Sequence, residues 1–234
     1  LQADFLEMSP ASAEMAKHAI NAFLATSVSL INDIADLCEK TGADILDVTR
    51  ALRSEPRIGP KAFLDAGLGF SGGTLGRDLK ALLTASEKFN SPLPVISSVF
   101  KKNLSRKDVI IQKISRALGG LRGKTIALLG LTYKPGTRTL RRSRAIEIAR
   151  ALKDAGASIR LSDPEVDERE LSVLGRFDFS RDPYEAVRAT EAMILFTPWP
   201  VFKNLDFKKL GVSVKPQAGF FDTSNFLWDK EEEI

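Results

Sequence analysis

The chain has 234 residues, 44% hydrophobic residues, 27% charged residues and a net charge of +4, which is typical of an ordinary globular protein with one or two domains. One cysteine and one histidine exclude an internal disulfide and a zinc site built from Cys and His. No apolar run is long enough to span a bilayer, and the first ten residues lack the basic start of a signal peptide. We therefore expect a cytoplasmic protein with no membrane partner and no bound metal.

The first half of the sequence has the periodicity of helices. Residues 12–40 carry apolar residues at three- and four-residue steps, and they predict one long helix that Ser12 caps and Gly42 ends. A loop rich in Gly, Pro and Ser is predicted over 54–76. Further helices are predicted over 44–53, 77–89, 92–103 and 105–118.

The second half, which follows Gly119 and Gly120, has short apolar runs that alternate with amphipathic stretches. The predicted strands are 124–130, 158–164, 176–180, 191–199 and 218–225, and the predicted helices are 143–156 and 183–190. Strands that alternate with helices indicate a parallel sheet with right-handed crossovers. The predicted fold class is α + α/β: a helical domain over 1–120 is followed by a Rossmann-like domain over 121–234.

The stretch DAGLGFSGGTLGRD contains the spacing G-x-G-x-x-G at Gly67, Gly69 and Gly72. A dinucleotide-binding turn with this spacing follows a strand and begins a helix within a βαβ unit. Here the preceding KAFLDA reads as helix or loop, and no second strand follows for some forty residues. The context favours a glycine-rich loop between helices.

Four ordered motifs carry a resemblance to a known family. They are the helix SAEMAKHAINAFLATSVSLINDIADLCEKTGAD, the segment RIGPKAFLDAGLGFSGGTLGRDLKAL, the stretch ALLGLTYKPGTRTLRRS, and TPWPVF followed by FFDTSN. The sequence resembles the central and C-terminal domains of the UDP-glucose/GDP-mannose dehydrogenase family. The resemblance implies a central dimerisation domain, a domain that binds a nucleotide sugar, and a homodimer built on helix 12–40. It leaves the particular nucleotide sugar open.

The resemblance also implies a reaction. Enzymes of this family oxidise the C6 alcohol of a nucleotide sugar to a carboxylate in two hydride transfers to NAD, and a cysteine holds the intermediate as a thioester. NAD is therefore the expected cofactor of the family, and its binding domain is expected before Leu1 rather than within this chain. The loop over 67–78 corresponds to the family's G-F-G-G-S-C-F-P-K-D.

The loop keeps part of that motif and departs from the rest. The matching residues are Gly69, Phe70, Gly72 and Asp78. Arg77 stands in place of Lys, and Thr74 stands in place of the nucleophilic Cys. A Thr hydroxyl needs a neighbouring strong base, whereas a thiol is close to its pKa at neutral pH. Cys38 lies on the apolar stripe of the first helix, where a packed thiol is the expectation. We therefore expect the chain to be inactive or altered in its chemistry.

Three further residues match positions of the central domain. Lys17 and Asn21 match a K-x-x-x-N pair and share one helix face. The resemblance implies that Lys17 places its positive charge beside a sugar oxygen or an oxyanion and that Asn21 holds an active-site water. Without the resemblance they would be an exposed Lys and a capping Asn. Arg57 resembles an Arg that reaches the sugar across a dimer interface, and by itself it would be a surface residue.

The second domain carries the predicted nucleotide contacts. Lys134 resembles a nucleotide-site Lys just after the first strand, Arg141 resembles the Arg at the NAD pyrophosphate, and Ser224 replaces a nucleotide-contacting Arg. A basic cluster surrounds Arg141 and consists of Arg138, Arg141, Arg142 and Arg144. It fits a solvated helix start or a nucleotide-phosphate site, and the nucleic-acid interpretation is disfavoured because no reader motif accompanies it.

Two functions stay open from the sequence. The first is an NAD-dependent nucleotide-sugar 6-dehydrogenase, which the ordered motifs favour. The second is a non-catalytic module that binds a nucleotide sugar or forms a dimer. The losses of Cys, Arg and acidic residues at three separate motifs favour the second.

Overall fold

The structure is a computed structural model that describes residues 5–71, 73–172, 175 and 177–233. The chain divides into two compact units, residues 1–104 and 105–234. The sequence-based boundary between the domains lies at residue 120, within the turn that follows a helix shared by both units.

Four helices build the first unit. They are α1 Pro10–Thr41, α2 Ile45–Ser54, α3 Leu75–Lys88 and α4 Pro94–Ala117, whose second half belongs to the second unit. The long first helix is confirmed, but its predicted cap is wrong. Ser9 is the N-cap, and its Oγ accepts from the Ser12 N–H at 3.2 Å, because Pro10 is suited to the first helical position. Gly42 ends the helix in the left-handed conformation, as predicted.

Helix α4 corrects a second prediction. The segments 92–103 and 105–118 were expected to form two helices, and the structure has a single helix of 24 residues. No Gly or Pro stands between them to interrupt the hydrogen-bond ladder, so Leu104 continues the helix. The core of the first unit joins α1, α3 and α4 through buried apolar side chains. These are Ala22, Ala25, Val28, Phe70, Leu79, Leu82 and Val99.

The second unit alternates strands and helices. Its elements after α4 are β1 Thr125–Leu129, α5 Arg144–Asp154, β2 Ser158–Ser162, α6 Glu168–Leu171, β3 Asp178–Ser180, α7 Pro183–Val187, β4 Ala192–Leu195, α8 Phe207–Ser213 and β5 Gly219–Asp222, with 3₁₀ turns at Pro200–Asn204 and Trp228–Glu233. All five predicted strands are present, each shorter than expected. Helices α6 and α8 and both 3₁₀ turns were not predicted from the sequence.

The five strands form one parallel sheet in the order β3-β2-β1-β4-β5. This order confirms the predicted Rossmann-like arrangement, with β1 and β4 buried in the middle. Gly130 follows β1 at φ +80°, and a side chain there would meet the Thr197 backbone at 2.4 Å. The chain can therefore turn closely past β4 only with glycine at this position.

The described part of the first unit contains helices and loops but no strand. The glycine-rich stretch before α3 is irregular and follows another loop, so the spacing G-x-G-x-x-G does not lie in a βαβ unit. The prediction of a loop between helices is confirmed for residues 65–71. Across the described residues, none of the helices combines the length and the apolar character that crossing a membrane requires.

Candidate active site

Helices α1 and α3 bring three of the predicted residues together around one buried carboxylate. The Asp78 side chain, in the first turn of α3, is only 2% exposed. Asn21 of α1 donates from Nδ2 to Asp78 Oδ2 at 2.5 Å. Lys17, one turn earlier on the same face of α1, places Nζ 3.9 Å from that oxygen. The helical i,i+4 spacing of Lys17 and Asn21 thus aims both side chains at one oxygen atom.

Two more basic side chains approach Asp78. Arg77 Nε lies 3.4 Å from Oδ1, and His18 Nδ1 lies 3.6 Å from Oδ2. Burial by itself would raise the pKa of Asp78, but the Asn21 hydrogen bond and the charge of Lys17, assisted by Arg77 and His18, hold that pKa below its usual value. Asp78 is therefore a carboxylate at neutral pH. Lys17 and Arg77 are about 60% exposed, so their charged ends remain accessible.

Thr74, at the position of the family's cysteine, lies at the N-terminal end of α3. It is the N-cap residue and is exposed, and its side chain makes no capping hydrogen bond. Its carbonyl accepts from the Asp78 N–H at 3.0 Å, so Thr74 lies one helical turn from the buried carboxylate. The hydroxyl is thus presented at a helix N-terminus, where partial positive charge favours an anion.

Two buried asparagines fix the loop that leads to Thr74, and the sequence analysis missed both. Asn32 Oδ1 accepts from the Gly67 N–H at 2.9 Å. Asn103 accepts from the Phe70 N–H at 2.9 Å and donates to the Phe70 carbonyl at 2.8 Å. A polar residue at a core position of a helix is the signal that would have identified them, because a buried amide requires partners.

Phe70 and Gly72 were predicted to contact substrate. The Phe70 ring belongs to the core of the first unit and is 6% exposed, so in this structure it packs against α1 and α3. Gly72 lies outside the described residues. Arg57 is 87% exposed and pairs with Glu55 at 2.8 Å. None of the described contacts joins Arg57 to Asp78, and its role at the sugar stays a prediction.

In the second unit, Lys134 lies at the carboxyl end of β1 in a tight turn. Thr137 donates through its N–H at 3.2 Å and its Oγ1 at 2.7 Å to the Lys134 carbonyl. Pro135 and Gly136 occupy the middle of this turn, and Gly136 has φ +75°. The turn leaves Lys134 exposed beyond the sheet edge, which is where open α/β sheets bind ligands.

The loop that carries Arg141 is held by acidic residues that the sequence analysis missed. Glu170 of α6 accepts from Thr139 Oγ1 at 2.8 Å and from the Leu140 N–H at 2.5 Å. Glu165 lies 3.4 Å from Arg138. This loop has basic or neutral residues at the positions where the family that the sequence resembles has acidic ones. The carboxylates that contact the loop are instead those of Glu165 and Glu170. Arg141 itself is exposed just before α5.

Ser224 follows β5 in a turn built by Asp222. Asp222 Oδ1 accepts from the Ser224 N–H at 3.0 Å, and Oδ2 accepts from the Leu227 N–H at 2.7 Å. Strand β4 lies between β1 and β5, so the strand ends that lead to Lys134 and Ser224 are two strand spacings apart, roughly 10 Å.

A second buried aspartate, Asp163, directly follows β2 at the carboxyl ends of the strands. Asp163 is 0% exposed. Its Oδ2 accepts from the Leu131 and Thr132 N–H groups at 2.6 and 3.0 Å and from Trp199 Nε1 at 3.2 Å. Its other oxygen accepts from the Glu165 N–H at 2.9 Å. Asp163 therefore shapes the loops around the edge and has no exposed oxygen to offer a ligand.

The helical unit thus contains a buried carboxylate surrounded by basic side chains, and the second unit contains a parallel α/β sheet with exposed loops at the carboxyl ends of its strands. Among the described residues, no group of three His, Cys, Asp or Glu side chains is placed to hold a metal ion. The chemistry available around Asp78 is proton transfer and stabilisation of a hydroxyl or carbonyl oxygen by Lys17, Asn21 and Arg77.

Two family profiles match the chain. The central domain of the UDP-glucose/GDP-mannose dehydrogenase family matches residues 11–105, and the UDP binding domain of the same family matches residues 127–229. The chain therefore belongs to the UDP-glucose/GDP-mannose dehydrogenase family, as the ordered motifs predicted.

Similar proteins agree with this assignment. The chain is 41% identical over 205 residues to a UDP-glucose 6-dehydrogenase of Rhizobium meliloti, covering 87% of this chain and 47% of that protein. It is 37% identical over 222 residues to the UDP-glucose 6-dehydrogenase TuaD of Bacillus subtilis, covering 94% of this chain and 48% of that protein. The chain thus spans about half the length of these relatives.

Solved structures share the fold. A UDP-glucose dehydrogenase from the archaeon Pyrobaculum islandicum superposes with a TM-score of 0.84 at 32% identity, over 93% of this chain and 48% of that one. A UDP-D-ManNAc dehydrogenase from Pyrococcus horikoshii has a TM-score of 0.79 at 23% identity, over 92% of this chain and 48% of that one. The predicted fold class is confirmed.

Proposed function

We propose that this chain is the substrate-handling part of an NAD-dependent nucleotide-sugar 6-dehydrogenase and that its ligand is a UDP-sugar. The observation that carries the proposal is the convergence of Lys17, Asn21 and Asp78 on one another across two helices. The accessible cations Lys17 and Arg77, held beside the buried carboxylate, can stabilise the negative charge that develops on an alcohol oxygen during its oxidation. The relatives' names support UDP-glucose as the first ligand to test.

Each residue of the Asp78 cluster then has a role. Lys17 stabilises negative charge on the sugar oxygen, and Asn21, whose amide is anchored to Asp78, orients the group that attacks or leaves. NAD, when bound, accepts the hydride. The exposed Arg141 and the basic loop before α5 fit a pyrophosphate, because arginine binds phosphate oxygens in pairs and the helix start favours anions.

The threonine at position 74 affects the second oxidation, in which the family's cysteine holds the intermediate as a thioester. An ester to Thr74 would hydrolyse more slowly than a thioester, and a Thr hydroxyl is a weak nucleophile without a base. We therefore propose that the chain does not form the family's thioester. The alternative function, a non-catalytic module that binds a nucleotide sugar, gains support from the exposed Thr74 and from Ser224, which is engaged with Asp222 in its own turn.

The nucleotide is proposed to bind at the sheet edge of the second unit. Lys134 supplies the main charge to the diphosphate, and Ser224 offers a hydroxyl where the family has an Arg. The loss of one charged hydrogen bond costs about 1.5–3 kcal/mol, which is roughly ten- to more than a hundredfold in affinity. We therefore expect binding that is weak but measurable.

Calorimetric titration with UDP-glucose tests the proposal. We expect the Lys134→Ala chain to lose binding and the Ser224→Arg chain to bind more tightly than the parent. Lys208→Ala removes an exposed lysine from α8 and serves as the matched control, which should bind like the parent. A parent chain that binds no UDP-sugar, or a Ser224→Arg chain that binds no better, would favour a purely structural role.

The proposed partner in solution is a second copy of the chain. Helix α1 buries one face in its own unit and exposes a second apolar seam, whose members are three or seven residues apart. The seam consists of Ile20, Phe23, Leu30 and Leu37, which are 55–73% exposed. Such spacing is that of a helix-pairing interface, and an apolar seam of this length suits an obligate contact.

Sedimentation of a seam variant tests the dimer. Phe23→Glu places a charge in the middle of the seam and should convert the parent dimer to a monomer at micromolar concentration. Val212→Glu, at an 85% exposed apolar residue of α8, is the control and should leave the dimer intact. A parent that sediments as a monomer would contradict the proposal.

A further inference from the structure

The histidine beside the Asp78 carboxylate has no role in the motifs that the sequence shares with its family. His18 is the single histidine of the chain, and it lies on α1 directly after Lys17. Its Nδ1 lies 3.6 Å from Asp78 Oδ2 and is buried without a hydrogen-bond partner. The imidazole is nevertheless 29% exposed, so the accessible part of the ring lies away from Nδ1.

The surroundings determine which nitrogen carries the proton. Asp78 is ionised and can only accept hydrogen bonds, so the favourable neutral tautomer of His18 has its hydrogen on Nδ1, facing the carboxylate. The other charged groups are Lys17 and Arg77 beside the same carboxylate and Glu14, which is exposed one turn earlier on α1. The two cations oppose a third positive charge, whereas Asp78 stabilises one. Nε2 is then left as an accessible lone pair.

We propose that His18 is the proton acceptor of the Asp78 cluster and that Asp78 orients it. This inference rests on the proposed function. As the C6–H hydride passes to the nicotinamide cofactor, the O–H bond of the C6 alcohol breaks and its proton passes to His18 Nε2. The products are the aldehyde, the reduced cofactor and an imidazolium that is paired with Asp78. The same pairing of a carboxylate, an imidazole and a hydroxyl activates serine nucleophiles in other folds.

The lowered pKa of Asp78 makes its carboxylate a weak base. When Nδ1–H of His18 faces Asp78, the second ring nitrogen, Nε2, carries a lone pair that can accept a proton.

The tautomer can be measured directly, because a single histidine gives a single set of imidazole resonances. Nitrogen NMR of the full chain is expected to show the Nδ1–H form as the main neutral tautomer. In the Asp78→Asn chain, the population should shift towards the Nε2–H form that free imidazole side chains prefer. Asp65→Asn changes an exposed aspartate of the same unit and should leave the tautomer unchanged. A parent that shows mainly Nε2–H overturns the inference, whether or not the Asp78 variant folds.

Modification of His18 by diethyl pyrocarbonate provides the second test, since this reagent attacks the unprotonated ring nitrogen. UDP-glucose should slow the modification at least several-fold, whereas UDP, which lacks the hexose, should not. The His18→Gln chain gives the background. If calorimetry shows that UDP-glucose binds but His18 is not protected, the inference fails and the proposed function stands. If UDP-glucose does not bind at all, the proposed function fails.

Discussion

Two buried aspartates mark the two units, and they are held in opposite ways. Asp163 receives its hydrogen bonds from backbone N–H groups, a hydroxyl and an indole, all of them neutral and most of them buried. Asp78 accepts a short hydrogen bond from the Asn21 amide and a longer one from Arg77 Nε, and Lys17 and His18 also approach it. The charged ends of Lys17 and Arg77 extend to the surface. Burial alone therefore does not distinguish a functional carboxylate from a structural one.

The exposure of the partners makes the distinction. The donors to Asp163 are satisfied within the fold, so the aspartate fixes the loops that surround the sheet edge. The cations near Asp78 have accessible ends that can contact a second anion or a polarised oxygen. Asp78 therefore lies among side chains that a ligand can reach, whereas Asp163 lies among groups that belong to the fold.

The largest expected effect is at Asp163. The Asp163→Ala substitution leaves several buried donors without an acceptor, each worth about 1–3 kcal/mol, so the second unit should lose at least about 3 kcal/mol of unfolding free energy. Urea unfolding measures this loss. A variant as stable as the parent would show that water or rearranged loops satisfy the donors and that Asp163 does not fix the edge.

At Asp78 the expected loss is smaller. Asp78→Ala deprives Asn21 of its acceptor, which should cost about 1–3 kcal/mol, while Lys17 and Arg77 regain solvent. The control is Asp65→Ala, a 76% exposed residue whose replacement should change stability by no more than about 0.5 kcal/mol. If Asp78→Ala destabilises the chain more than Asp163→Ala, the distinction between the two aspartates is wrong.

The stability of the parent and that of the Asp78→Asn chain should depend differently on pH in the acid range. Because the folded pKa of Asp78 is lowered, the unfolded chain binds a proton more readily than the folded chain does. The stabilisation is present above the ordinary pKa of Asp, about 3.9, and is lost as the pH falls through the lower folded value. The parent should be more stable than Asp78→Asn at neutral pH, and the gap should narrow in acid. A gap that is constant with pH would show that Asp78 contributes no charge.

The smallest effect concerns position 74. A thiol introduced by Thr74→Cys lies at the N-terminus of the 14-residue α3, where the helix dipole favours the thiolate. Iodoacetamide should alkylate it about two- to fivefold faster than Glu87→Cys in the last turn of the same helix, with the buried Cys38 as a slow background. Equal rates at both ends would remove the argument that position 74 favours an anion.

The sequence predicted the order of elements well, since long apolar periodicities and Gly stops are local signals. Gly42 ends α1 and the apolar run 124–130 contains β1, because these features depend only on nearby residues. The prediction failed at α4, where two helices over 92–103 and 105–118 were expected instead of one, and at α8, whose seven residues are too few for a clear period. The cap at Ser9 was missed because Ser12 offered the same chemistry.

The candidate site was only partly predictable. Lys17, Asn21 and Asp78 came from motif resemblance, and the packing of α1 on α3 places them around one carboxylate. Asn32, Asn103 and Glu170 act on backbone groups 30 to 35 positions away in the sequence. Periodicity carries no information on such partners, because the pairing depends on the tertiary fold. The proximity of His18 to Asp78 could not be predicted from the sequence either, because it depends on the packing of α1 on α3.

We propose that a nucleotide binds to the loops that follow the carboxyl ends of β1 and β5. Amide NMR of the isotopically labelled chain during titration with UDP tests it most directly. We expect chemical shift changes that saturate for residues 131–137 and 222–225 and that disappear in the Lys134→Ala chain. Saturable UDP binding that leaves the amides of both segments unchanged would contradict the account.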